Sequence, residues 1–184
     1  MRKLIFLFLL TGVFSCNNVA KYKDAINGLA TDWDATTATV SGLIEKITAV
    51  QTQAKDLMTS MNPSEEAAAA MNEQQTATLN DLKQGLQANL GTLGEMSKTA
   101  FEFVSKWQSE GEKLTALKDG LAAGKLPKDV QATIDSLKAT AEEGKSKVGE
   151  WEGGLENTQD MVQKAAAAYQ QLMASIVAPA TSSK

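Results

Sequence analysis

Pro63 and Pro127 divide most of this chain into three long stretches, and each stretch carries a single apolar seam in which hydrophobic residues recur at alternating steps of three and four. The first seam runs from Val19 through Tyr22, Ile26, Leu29 and Trp33 to Met61, with Thr36 as its one polar member. The second runs from Leu79 through Phe103 and Trp107 to Leu121, interrupted by Asn89 and Glu110. The third runs from Val130 through Trp151 to Ile176, with Gly144 and Thr158 as its weakest points. Heptads sustained over this length place one apolar stripe along each helix, and no stretch alternates with the two-residue period of a strand. The pattern predicts an all-α fold: an elongated, antiparallel, up-down-up three-helix bundle packed in the manner of a coiled coil.

Helix boundaries are expected where turn chemistry meets the prolines. Asn62-Pro63-Ser64-Glu65 reads as an N-cap, a proline in the first helical position and an acid in the first turn, while Gly124 and Pro127 read as a stop and a restart. Asn18 can cap the first helix. The expected helices therefore span about 19–61, 63–123 and 127–178, followed by a frayed tail over 179–184. At 1.5 Å per residue, each shaft would be roughly 65 to 70 Å long. In outline the arrangement resembles a spectrin-type repeat, a likeness of architecture only. Trp33, Trp107 and Trp151 fall one on each seam and are expected in the core.

If the turns centre near residues 62 and 125, positions 91 and 94 lie level with 33 and 30, and positions 153 and 154 lie level with 27 and 28. Gly28, Gly91, Gly94, Gly153 and Gly154 would then encircle the bundle at one height, as a hinge or as a docking belt for a partner or a second copy. A glycine inside a helix costs about 1 kcal/mol relative to alanine, which is why such a belt attracts attention. The same register sets Cys16 opposite residue 108, so that Gln108 to Glu142 would project past the first helix by roughly 25 Å. The tip of that hairpin, Leu121 to Lys128, is mildly apolar and flanked by Lys118, Lys125 and Lys128.

Composition narrows the chemistry. The chain holds no histidine and one cysteine, and Arg2 is its only arginine. Beyond the first fifteen residues it has neither an imidazole for metal binding or proton transfer near neutral pH nor a guanidinium for bidentate recognition of phosphate or guanine. Ser-x-x-Lys and Gly-x-Ser-x-Gly nucleophile motifs are absent, and the glycines lie mostly singly within helical pattern rather than in a phosphate loop. Carboxylate pairs such as Glu142-Glu143 sit among lysines, as solvated helix faces do. No catalytic residue, metal ligand, cofactor or nucleic-acid partner is expected.

Arg2 and Lys3 precede the apolar run Leu4 to Leu10, which is far shorter than the roughly 20 residues of a membrane-spanning helix. Val13-Phe14-Ser15-Cys16 follows and resembles the lipobox of bacterial lipoproteins, with Val13, Ser15 and Cys16 matching the pattern and Phe14 bulkier than usual. The resemblance implies removal of residues 1–15 and acylation of Cys16 on its sulfur and its new amino group. Asn17 in place of aspartate implies, by the same analogy, sorting to the outer membrane, and the lack of an acidic run after Cys16 favours its periplasmic face. Removing Arg2 and Lys3 from the 18 basic residues leaves 16 against 22 acids, a mature charge of −6.

These features together suggest a non-catalytic spacer or protein-interaction module, anchored through Cys16 and serving an envelope protein. Two other classes touch parts of the chain. A membrane-active, toxin-like helical protein would need an apolar segment of about 18 residues beyond the leader. A cell-wall tether would use Lys184 at the end of the tail.

Overall fold

The computed structural model describes residues 16–177, with side chains from 19 to 176, and is all-α. Three long helices, α1 (Cys16–Ser60), α3 (Glu73–Ala122) and α4 (Val130–Val177), pack together in a bundle, with a short helix α2 (Glu65–Ala70) between the first two. No strand occurs among the described residues. Every member of the three seams is buried or half-buried, so the heptad pattern locates the core. The expected leader (1–15) and tail (179–184) lie outside the described residues.

The chain divides into two compact units. One joins the residues up to Ala38 with Phe103–Ser146, and the other joins Thr39–Glu102 with the residues from Lys147 onward. Each contains stretches of all three long helices. In the first unit Trp33 of α1 faces Trp107 and Gly111 of α3, while Asp32 and Thr36 meet Lys145 and Gly144 of α4. In the second, Asn62 meets Lys83, Tyr169 reaches Ser60, Met96 lies on Gly154, and Gln75 meets Ser175. Within each unit α3 therefore runs antiparallel to α1 and to α4.

Three helix boundaries differ from expectation, the third being the start of α4 at Val130 instead of 127. Asn18 lies inside α1, which already includes Cys16, and the second long helix does not start at Pro63. Ser64 caps α2 by accepting from the Ala67 N–H at 3.2 Å, but α2 lasts only six residues before Met71 turns extended. Asn72 then opens α3 through a reciprocal capping box: its Oδ1 accepts from the Gln75 N–H at 2.9 Å, and Gln75 Oε1 accepts from the Asn72 N–H at 3.0 Å. Asn62 is no cap; its Nδ2 donates to the Thr59 carbonyl at 3.1 Å.

The α3–α4 connection, by contrast, is a tight stop. Gly124 adopts a φ of 69°, and its N–H and that of Lys125 donate to the carbonyls of Leu121 and Gly120 at 3.2 and 2.8 Å. This is a Schellman closure, with Leu126 folding back over Gly120. Helix α4 begins at Val130, three residues past Pro127, whose carbonyl accepts from the Val130 N–H.

Residues 61–72 are thus spent on the connection instead of on the second shaft, and the register between α1 and α3 differs from expectation by more than this connection alone accounts for. Trp33 faces Trp107 and Gly111 rather than position 91, a displacement of 16 to 20 residues along α3 from the expected alignment. The register between α3 and α4 stands as the turn near residue 125 implies, with Met96 on Gly154 and Lys106 paired with Glu143.

Candidate functional site

The most closely fitted cluster belongs to the first unit. The Trp33 and Trp107 rings stack with centroids 3.7 Å apart at an angle of 15°, and Phe103 tilts against Trp107 at 5.4 Å. Trp107 Nε1 donates to Thr37 Oγ1 at 2.8 Å, and that hydroxyl donates in turn to the Trp33 carbonyl at 2.8 Å. The Trp107 indole is thereby tied through the Thr37 hydroxyl to the backbone of Trp33. Gly144 on α4 supplies the room: a β-carbon there would stand 2.9 Å from Trp107 Cζ3 and 3.1 Å from both Phe103 Cζ and Thr36 Cγ2. The Gly111 position lies against Trp33 at ordinary contact distance, with its β-position 3.4 Å from Nε1. Trp151 is likewise buried, in the second unit. All three tryptophans occupy the core, where stacking and burial, not a ligand, account for them.

At the end of this unit the corrected register brings two features together. From Trp33 back to Val19 is 14 residues, and the same distance along α3 from the level of Trp33 leads to the last turn of that helix. The start of α1, and Cys16 with it, therefore lies level with the α3–α4 connection. The expected overhang of Gln108 to Glu142 does not exist: Trp107, Gly111 and Glu143 all lie beside α1 or beside residues that do. Cys16 belongs to α1, and its side chain lies outside the described residues.

The five glycines do not form one belt. Gly28 falls in the first unit, whereas Gly91, Gly94, Gly153 and Gly154 fall in the second. The expectation fails because it rests on the displaced α1 register. Helices α1, α3 and α4 pass through these positions without a break. A β-carbon at Gly28, Gly91, Gly94 or Gly153 would meet nothing within 4 Å, and at Gly154 it would meet only the pliable end of Met96. Gly144, which packing does require, is the one glycine that the seam pattern marks as a weakness.

Charged groups are arranged as surface pairs. Lys145 lies 3.1 Å from Glu142 and 3.7 Å from Asp32; the hydrogen bond and charge of Glu142, then the charge of Asp32, raise its ammonium pKa above the ordinary lysine range. Glu110, a polar break in the second seam, is half-buried and accepts from Lys113 through Oε1 at 2.7 Å, while its Oε2 has no hydrogen-bond partner among the described residues. A groove between α3 and α4 is lined by Lys113, Leu117, Pro127, Asp129, Thr133 and Ser136. Among the described residues no three His, Cys, Asp or Glu side chains gather as metal ligands, and no helix is long and apolar enough to cross a membrane. No protein-family model, curated protein or solved structure matches the chain.

Proposed function

We propose that this chain is a bacterial envelope lipoprotein, acylated at Cys16 and held by lipid on the periplasmic face of the outer membrane, whose helical bundle serves as a non-catalytic spacer or protein-interaction module. One observation carries the reading: Val13-Phe14-Ser15-Cys16 resembles a lipobox, and Cys16 already lies within helix α1. Acyl chains on Cys16 would join helix α1 directly, with no linker between lipid and fold. More than one chain on that residue makes attachment stable, since each buried methylene contributes about 0.8 kcal/mol and a single chain is marginal. The lack of histidine anywhere, and of arginine beyond Arg2, supports a role based on shape and surface rather than on chemistry.

Mass spectrometry of the amino-terminal peptide from membrane-extracted protein tests the anchor. The expected peptide begins at Cys16 and carries the mass of its acyl groups, and Cys16→Ser leaves the leader uncleaved. A soluble, unmodified chain that retains Met1 would overturn the reading. Cross-linking in intact envelopes tests the module: cross-links to a second envelope protein support it, and cross-links only between copies make it a homo-oligomer instead.

A further inference from the structure

We propose that the α3–α4 connection, Gly120 to Asp129, is a second membrane contact: a basic foot that rests on anionic lipid headgroups beside the anchored Cys16. The inference depends on the anchor reading above and adds a surface to it. Its first support is the register of the first unit, which sets this connection level with Cys16 and the residues that follow it. Any bilayer that holds Cys16 by its acyl chains therefore lies within reach of the connection.

The second support is charge. Lys21, Lys23, Lys118, Lys125 and Lys128 are all exposed at this end, and none forms an ion pair among the described residues. Asp24, Asp119 and Asp129 are the acids beside them, so the end carries a positive excess on a mature chain whose net charge is −6. A protein of negative charge is repelled by an anionic surface unless it presents a local patch of the opposite sign. Here that patch lies beside the attachment point.

The third support is shape. The Schellman closure at Gly124 fixes the connection, and Leu126 packs back over the Gly120 position, where a β-carbon would stand 3.4 Å from its Cδ2. Leu121 and Leu126 are both half-buried, so the apolar groups of the tip are partly spent on the protein while the lysines stay in water. Such a foot touches headgroups by charge and does not insert. The contact should therefore require anionic lipid and weaken with salt, because charges separated by more than about 10 Å are largely screened at 0.1 M ionic strength.

Amide hydrogen exchange of the membrane-extracted protein, reconstituted in vesicles, tests this. Each lysine near an anionic surface is worth about a factor of five in contact population. Exchange over Gly120 to Asp129 should slow by about fivefold or more in vesicles of phosphatidylcholine with phosphatidylglycerol, relative to phosphatidylcholine alone. The slowing should disappear in about 0.5 M salt, where screening is nearly complete. It should disappear equally in the triple variant Lys118→Glu, Lys125→Glu, Lys128→Glu, whose fold circular dichroism would check. Equal exchange on both vesicle types, with acylated Cys16 confirmed by mass, overturns the foot and leaves the anchor standing. An unmodified Cys16 overturns both.

Discussion

Replacing Gly144 by alanine sets two effects against each other, and the structure decides between them. Alanine in a helix interior is favoured over glycine by about 1 kcal/mol. The new methyl, however, would stand 2.9 Å from Trp107 Cζ3 and 3.1 Å from Phe103 Cζ and Thr36 Cγ2, against an optimal carbon separation of about 3.5 to 4.0 Å. The obstructing atoms are two ring edges and a methyl on a β-branched side chain, all buried and supplied by two other helices, so none swings aside cheaply. Overpacking of this kind costs about 1–3 kcal/mol, which leaves Gly144→Ala destabilising by about 1 kcal/mol after the gain in propensity. At Gly153 the methyl would meet nothing within 4 Å, so Gly153→Ala should keep most of the propensity gain. The two variants, identical in chemistry and in the same helix, should thus differ by about 2 kcal/mol, in opposite directions from the parent. With an m-value of about 2 kcal/mol per molar urea, that is about 1 M between their midpoints in denaturation followed by far-ultraviolet circular dichroism. Equal stabilisation by both substitutions would falsify the claim that Gly144 is a packing requirement.

Other consequences can be measured separately. Thr37→Val removes the acceptor of Trp107 Nε1 and should cost about 1–3 kcal/mol, and a double-mutant cycle with Trp107→Phe should return a coupling of about 1 kcal/mol; additive effects would mean that the 2.8 Å bond contributes nothing. Gly124→Ala forces a side chain into a left-handed conformation and should destabilise by about 1–2 kcal/mol in thermal melts, whereas unchanged melting would contradict the φ of 69°. The pKa of Lys145 is raised on folding, so its contribution to stability is fully present below the unfolded lysine pKa of about 10.4 and is lost as pH rises through the higher folded value. Asp32→Asn should move the Lys145 titration seen by NMR downward, and an unmoved titration would remove Asp32 as a cause.

The connection between α1 and α3 is partly legible in the residues themselves. The second seam begins only at Leu79, so residues 63–78 lack the apolar period that a helix starting at Pro63 would show. Asn72 and Gln75 also have the spacing of a capping box. The Asn62-Pro63-Ser64-Glu65 signal is stronger than both, and a helix does start beside it, but with Ser64 as the cap instead of Asn62. What it does not reveal is that the helix stops after six residues, since propensity sees the alanines of α2 and not the absence of anything for them to pack against: no residue of α2 is buried.

Sequence alone determined that the chain is helical, which residues of each helix face inward, and where α3 must stop. These are properties of a single helix or a single turn: a stripe repeating every three and four residues, and a glycine free to take a positive φ. Tertiary structure decided how far α1 slides along α3. A seam that renews itself every seven residues looks much the same after a shift of whole heptads, so apolar pattern cannot choose among alignments. Shape can, and the alignment observed is one in which the stacked pair Trp33 and Trp107 finds the hollow at Gly144 and a hydroxyl at Thr37. That choice is also what brings the α3–α4 connection level with Cys16.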